Sequence, residues 1–220
     1  MLIQEIKGSL AKLLATENLT VEHCKCETAS FDVKNRVLSL PLWIASETVY
    51  DMLVGHEVGH ALYTPADGWE NMTDVPKSYV NILEDVRIEK SMKDKFPGLR
   101  KDFFKGYREL NQKDFFGIGM MDLNKLKLID RINLYYKVGI VDQTIPIPFK
   151  NEEEKKWMAL ADACESFEDV CELAAKIYEW QGEQEEDQEH IDNKPSTEGD
   201  GGVAPQMDTV TTETSQDDDG

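Results

Sequence analysis

The stretch SETVYDMLVGHEVGHALYT, residues 46–64, decides the fold and the chemistry that the sequence predicts. Ser46 is a favoured N-cap residue, and the proline just beyond the stretch disfavours helix in the residue before it. We therefore expect a helix over about residues 47–63. His56 and His60 stand four residues apart within it. Positions i and i+4 share one face of a helix, so both imidazoles can reach a single metal ion.

Glu57 completes an HExxH motif with the two histidines. It lies about 100° round the helix from His56, so it is expected to lie near a metal ion without coordinating it. From there it can take a proton from a metal-bound water. Zinc in proteins favours two histidines plus a carboxylate, with a fourth position open. The chain has 4 histidines in 220 residues, and about 0.007 HExxH matches would arise by chance at this composition. The alternative is two histidines packed on a helix face beside an unrelated glutamate.

The segment NILEDVRIE, residues 81–89, offers a third ligand. Asn81, Glu84 and Asp85 are spaced i, i+3 and i+4, so they share one face of a predicted helix. Burying three polar groups is costly without a partner, and a metal ion with its outer ligands would supply one. We expect Glu84 to be the ligand in preference to Asp85, and the other carboxylate to orient a histidine through its second ring nitrogen. The alternative is a solvated face on which Glu84 pairs with Arg87.

The elements around these two segments predict an α+β fold, with a small sheet packed on the HExxH helix and a mainly helical C-terminal part. Residues 19–33 alternate and predict one or two strands, and RVLSLPLW, residues 36–43, predicts another. Pro41 cannot donate to a ladder, so this last strand is expected to end there or to lie at a sheet edge. Further helices are predicted over residues 2–16, 78–95, 99–113, 122–139 and 151–180.

The charge divides the chain into a folded part and a tail. Asp and Glu number 43 against 24 Lys and Arg, a formal net charge of −19, which argues against nucleic acid and anionic lipid surfaces as partners. Residues 181–220 hold 13 acidic residues and one lysine. They contain too little apolar surface to offset the entropy of ordering. We expect one domain over residues 1–180 and a disordered acidic tail or linker over 181–220.

The remaining features favour a cytoplasmic protein. No apolar run approaches the roughly 20 residues of a membrane span, and the first residues lack the layout of a signal peptide. Cysteines in that compartment are expected to be reduced. Cys24 and Cys26 are too close for an ordinary zinc knuckle, and Cys164 and Cys171 are expected to be inert core residues.

Two segments together resemble a known family. HEVGHALYTP, residues 56–65, followed by NILEDVRIE is similar to the gluzincin-type HExxH metallopeptidase domains that precede von Willebrand factor A domains. Such domains occur in cobalt-chelatase large-subunit-like proteins and in related proteins of tailed phages. The resemblance covers roughly residues 30–110. The gluzincin pattern more often places the ligand glutamate directly after the asparagine, so Glu84 and Asp85 both stay candidates.

The resemblance implies a zincin-like fold and a zinc (Zn2+) cofactor. The two histidines and a downstream glutamate bind zinc in such families, which implies His56, His60 and Glu84 here, with Glu57 as the general base. It also implies an edge strand beside the active-site helix. Residues 36–43 are the candidate, and a polypeptide substrate would add to them as a further strand. For a phage-encoded protein the location would be the host cytoplasm.

Two functions follow from these expectations. The first is a zinc-dependent metallopeptidase that hydrolyses peptide bonds through a metal-bound water activated by Glu57. The second is a non-proteolytic scaffold built on the zinc site, which docks a von Willebrand A domain or an AAA-type ATPase partner through the acidic tail. An intact HExxH motif permits the chemistry without requiring it, so the sequence favours neither function decisively.

Overall fold

The computed structural model describes residues 2–42, 46–67 and 74–191, with side chains described for 8–42, 46–67 and 74–184. Its strands are β1 (Thr20–Cys24), β2 (Ser30–Asp32) and β3 (Val37–Pro41). Its helices are α1 (Leu2–Ala15), α2 (Glu47–Tyr63), α3 (Lys77–Lys95), α4 (Leu99–Gln112), α5 (Leu128–Leu134), α6 (Glu152–Ala163) and α7 (Phe167–Ile191). Short 3₁₀ turns occupy Ile118–Met120 and Leu123–Lys125, and a π-helical turn occupies Tyr135–Gly139. The predicted α+β class, with a small sheet and a mainly helical C-terminal part, is confirmed.

The sheet places β3 in its centre, in the order β1-β3-β2. Strand β1 pairs with β3 in parallel, with Val21 opposite Leu38, and β2 pairs with β3 antiparallel, with Phe31 opposite the same residue. The prediction that residues 36–43 form an edge strand is therefore wrong. The other alternative, that the strand ends at Pro41, is confirmed: Pro41 is the last residue of β3, where a missing N–H removes at most one ladder bond. With both sides of β3 occupied, a peptide cannot add to it.

The first hydrophobic core joins α1, the sheet, α2 and α4. Leu38 and Leu40 alternate along β3 and are both fully buried, as expected for the inward face of a half-buried strand. Helix α2 has the predicted bounds. Its N-cap Ser46 accepts a hydrogen bond from the Val49 N–H, which satisfies one of the donors that a helix start leaves open.

Gly59 lets α2 and α3 approach closely. A Cβ atom built at this glycine would lie 2.7 Å from Ile88 Cδ1 and 3.1 Å from Met92 Cγ, and both of those side chains are fully buried on α3. Because Gly59 precedes His60 directly, the same close approach brings α3 against the HExxH motif.

Helix α3 is buried on most of its circumference, because it belongs to a second hydrophobic core with α5, α6 and α7. All residues from Tyr79 to Glu89 are buried. The alternative of a solvated face on residues 81–89 is therefore wrong. Five polar residues of this segment lie in the interior, namely Asn81, Glu84, Asp85, Arg87 and Glu89.

The C-terminal helices differ from the prediction in three places. The helix expected over residues 122–139 is α-helical only in α5 (Leu128–Leu134), between the 3₁₀ turn Leu123–Lys125 and the π-helical turn Tyr135–Gly139. The helix expected over residues 151–180 is two helices, because Ser166 begins a new one: its Oγ accepts from the Asp169 N–H while the Asp169 carboxylate accepts from the Ser166 N–H, a reciprocal cap. The disordered tail was expected from residue 181, but α7 continues to Ile191 through a run of Glu and Gln, which are good helix formers. Residues 192–220 lie outside the described residues.

Two of the cysteines form a disulfide, contrary to the expectation of reduced thiols. Cys24 and Cys26 are joined, with their Cα atoms 5.4 Å apart, a separation within the range that a disulfide spans. Cys164 and Cys171 are free thiols, and Cys164 is buried. Among the described helices, none is both long enough and apolar enough to cross a membrane.

Candidate metal centre

Helices α2 and α3 bring three potential metal ligands together. Asp85 Oδ1 lies 3.3 Å from His60 Nε2 and 3.6 Å from His56 Nε2. The three ligand atoms lie within 4.8 Å of one another, and all three side chains are buried. This buried His-His-Asp group could hold a metal ion.

The other ring nitrogen of each histidine has its own partner. His56 Nδ1 lies 3.0 Å from Glu89 Oε1, and His60 Nδ1 lies 2.9 Å from Thr64 Oγ1. A carboxylate can only accept, so Nδ1 of His56 donates to Glu89, and Nε2 is the ring nitrogen that faces Asp85. Such outer partners fix the tautomer and the ring orientation of metal-binding histidines.

Glu89 is held ionised behind His56. The Tyr107 hydroxyl donates to Glu89 Oε1, and Lys93 Nζ lies 2.8 Å from Oε2. Burial opposes ionisation of this carboxyl, but the charge of Lys93 and the hydrogen bond from His56 outweigh it and lower the pKa of Glu89 well below its ordinary value. The charged form accepts three hydrogen bonds in the interior, which offset its desolvation.

Glu84 is not in the group of His56, His60 and Asp85, so the geometry favours Asp85 rather than the expected Glu84 as the third ligand. Arg87 holds it through two contacts, Nε to Oε2 at 2.8 Å and Nη2 to Oε1 at 2.6 Å. Glu84 Oε1 also accepts from Thr64 Oγ1 at 2.6 Å. Thr64 in turn accepts a hydrogen bond from His60, so Glu84 orients that histidine through Thr64. The fork of Arg87 explains the difference, since it engages both oxygens of Glu84.

Lys137 belongs to the site although its sequence context gives no indication of it. Its Nζ lies 2.7 Å from Asp85 Oδ2, and the side chain is buried. The contact fixes one oxygen of the carboxylate and leaves Oδ1 facing the histidines. Lys137 stands on the π-helical turn Tyr135–Gly139, an irregularity that often occurs at functional sites. A lysine within a predicted helix is ordinarily expected to face solvent, and Lys137 lies 52 residues from Asp85 in sequence.

Three of the buried carboxylates near the histidines are paired with cationic side chains. Arg87 pairs with Glu84, Lys93 with Glu89 and Lys137 with Asp85. These ion pairs offset the cost of burying the carboxylates.

Glu57 is fully buried on α2, next to His56 in sequence, and Asn81 is buried on α3. Comparison of the chain with protein-family models, with curated proteins and with solved structures gave no match. Any function assigned to the chain therefore has to follow from its own residues, and the most informative of these are the HExxH histidines and Asp85.

Proposed function

We propose that the chain is a zinc-dependent peptidase in which His56, His60 and Asp85 hold the metal and Glu57 moves the proton. One observation carries the proposal: both Nε2 atoms of an HExxH helix face one buried carboxylate oxygen, at 3.3 and 3.6 Å. The zincin-like fold and the relation to gluzincin-type domains are part of the same proposal.

The donor set fits zinc. Zinc bonds of about 2.0–2.2 Å at tetrahedral angles place ligand atoms about 3.3–3.6 Å apart, which is the spacing between the histidine nitrogens and Asp85 Oδ1. In the described part of the chain three side chains form the group, which leaves a fourth position of the kind that catalytic zinc sites keep open. When bound there, zinc would act as a Lewis acid on a substrate carbonyl and would acidify a water molecule.

Glu57 is the group proposed to carry the proton. It is a carboxylate on the same helix as the histidine ligands, it directly follows His56, and it is fully buried. In such an environment a carboxylate can accept a proton from the attacking water and return it to the amine that leaves when the peptide C–N bond breaks. The proton thereby moves from water to Glu57 and then to the new amino terminus.

A metal site without catalysis is the second candidate, and complete burial favours it. His56 and Glu57 are 0% exposed, and closed metal sites in proteins are commonly structural. In that role the metal would fasten α2 to α3. A non-proteolytic scaffold of this kind could dock a von Willebrand A or AAA-type ATPase partner, and that docking stays a prediction.

Peptide hydrolysis by matched variants distinguishes the two candidates. The full-length chain, loaded with zinc, is incubated with a mixture of synthetic peptides, and the products are identified by mass spectrometry. Glu57→Gln should retain zinc and lower the rate about 100-fold or more, whereas Glu47→Gln, the same change at an exposed position of α2, should leave the rate unchanged. Equal cleavage by Glu57→Gln would refute the peptidase, and stoichiometric zinc without cleavage by the wild type would assign the site to the structural role.

A further inference from the structure

We infer that Lys137 determines which metal ion the proposed centre prefers, because it limits Asp85 to a single ligand oxygen. The inference rests on the proposed function, since it concerns the same group of His56, His60 and Asp85. It goes beyond that function by assigning the choice of metal to a residue that is not itself a ligand. Lys137 is thus a positioning residue, which acts on a bound metal through the Asp85 carboxylate.

The two oxygens of the Asp85 carboxylate have different partners. Lys137 Nζ donates to Oδ2 at 2.7 Å, whereas Oδ1 lies 3.3 Å from His60 Nε2 and 3.6 Å from His56 Nε2. The side chains of Lys137 and Asp85 are only 3% and 5% exposed, so water has little access to the ion pair. Oδ1 is therefore the oxygen that faces the histidines, and Oδ2 is engaged by a cation.

The chain on either side of Lys137 is anchored in the two hydrophobic cores. Leu134 and Val138 are fully buried in the first core, and Ile132 is fully buried in the second. Lys137 itself stands between Leu134 and Val138, on the π-helical turn Tyr135–Gly139. Because a buried ammonium without an anion is costly, and because the backbone is held on both sides, we expect Lys137 to stay on Asp85 when a metal ion binds.

A cation on Oδ2 keeps a second cation away from that oxygen. A carboxylate can ligate a metal ion through one oxygen or through both, but two like charges repel strongly at short distance in the interior. Asp85 is therefore restricted to Oδ1, and the group offers two nitrogens and one oxygen, as in catalytic zinc sites. Manganese prefers an octahedral site of about six mainly oxygen ligands, so the engagement of Oδ2 works against it.

The Lys93–Glu89 pair on α3 provides a matched comparison. Lys93 Nζ lies 2.8 Å from Glu89 Oε2, and Glu89, like Asp85, is a buried carboxylate beside a histidine. Glu89 contacts His56 through Nδ1, which is the ring nitrogen that does not face Asp85. Loss of the Lys93 charge would therefore disturb an outer partner of His56 without releasing a carboxylate oxygen toward the metal.

Metal titrations of the full-length chain test the inference. Zinc and manganese affinities of the metal-free protein are measured by competition with a chelator, and the cobalt-loaded protein is examined by visible absorption. Lys137→Met should reduce the preference for zinc over manganese about 10-fold or more, because Oδ2 becomes available as a ligand. Its cobalt spectrum should also weaken, because octahedral cobalt absorbs less strongly than tetrahedral cobalt.

The matched variant Lys93→Met should change the two affinities in parallel, so that the zinc preference and the cobalt spectrum stay as in the wild type. An equal loss of preference in both variants would overturn the inference. So would a Lys137→Met variant that keeps the wild-type preference or the wild-type spectrum, because Lys137 would then only stabilise the fold, and the metal centre itself would stand.

Two further results are decided by the wild type. Absence of zinc binding would overturn the metal centre, and the inference with it. If Lys137→Met is unfolded by circular dichroism, the cobalt spectrum of the wild type takes its place: a tetrahedral spectrum supports the restriction of Asp85 to one oxygen, and an octahedral spectrum overturns it.

Discussion

Gly59→Ala should destabilise the protein although alanine favours helix. The new Cβ would lie 2.7 Å from Ile88 Cδ1, and Ile88 is fully buried, so its methyl group cannot turn into solvent. Overpacking of this kind costs about 1–3 kcal/mol, and the gain from replacing a helical glycine is about 1 kcal/mol. The difference between these two terms is a net loss of up to about 2 kcal/mol in the free energy of unfolding. At that upper limit Tm should fall by about 4–8 °C for a chain of this size.

A double-mutant cycle with Ile88→Val tests the physical reason. This change removes the Cδ1 atom that meets the new Cβ, and alone it should cost about 0.5–1.5 kcal/mol. The double variant Gly59→Ala/Ile88→Val should be more stable than the sum of the single changes predicts, by about 1 kcal/mol, because the clash is absent. Gly55→Ala is the matched control on α2. Its Cβ would lie 3.3 Å from Leu99 Cδ1, so it should be close to neutral.

Urea unfolding of these four variants and of the wild type gives the free energies. Additivity of Gly59→Ala and Ile88→Val within about 0.3–0.5 kcal/mol would refute the claim that this contact sets the spacing of α2 and α3. Zinc affinity measured in parallel should fall in Gly59→Ala, because that spacing places Asp85 3.3 Å from His60 Nε2. Recovery of zinc affinity in the double variant would tie the helix packing to the metal centre.

Three further predictions concern buried charges. Asp85→Asn should weaken zinc binding about 10-fold or more, and more than Glu84→Gln, in competition with a fluorescent chelator. The reason is that Asp85 is the proposed ligand, whereas Glu84 contacts His60 only through Thr64. Equal losses would contradict the assignment. Lys137→Met should lower the free energy of unfolding of the metal-free protein in urea by about 3–5 kcal/mol, because it leaves the Asp85 carboxylate buried without this cation. A stability near that of the wild type would contradict a stabilising ion pair. Burial opposes ionisation of Glu154, but Arg131 lowers its pKa below the ordinary value of 4.5. Its contribution to stability is therefore present above about pH 4.5 and is lost as the pH falls through the lowered pKa. Glu154→Gln should reduce the loss of stability that the wild type shows below about pH 4.5, and an unchanged dependence of stability on acid pH would contradict this.

Local signals in the sequence were sufficient for the HExxH helix. Ser46 and the proline after Thr64 act on their immediate neighbours, and the structure has α2 within the predicted bounds. Pro41 likewise marks the end of β3. It could not give the position of the strand in the sheet, because that position depends on pairing with β1 and β2. The residues of one strand do not show which strands will pair with it.

The choice between Glu84 and Asp85 as the proposed third ligand needed information that is not local. Glu84 and Asp85 are adjacent in sequence, so helical spacing alone does not show which of the two carboxylates faces the histidines. The structure distinguishes them through Arg87, which holds Glu84, and through Lys137, which fixes Asp85 from 52 residues away. Contacts of that range depend on how the π-helical turn packs, which no pattern within residues 81–89 indicates.

X-ray absorption at the zinc edge, combined with the zinc content of the purified full-length chain, tests the central claim most directly. The account predicts one zinc ion per chain, with two imidazole nitrogens and a carboxylate oxygen at about 2.0–2.2 Å. It also predicts loss of the two-imidazole signal in a variant with His60→Ala. Substoichiometric zinc in protein purified without chelator, or an ion whose absorption spectrum is unchanged by His60→Ala, would contradict a metal centre built from His56, His60 and Asp85.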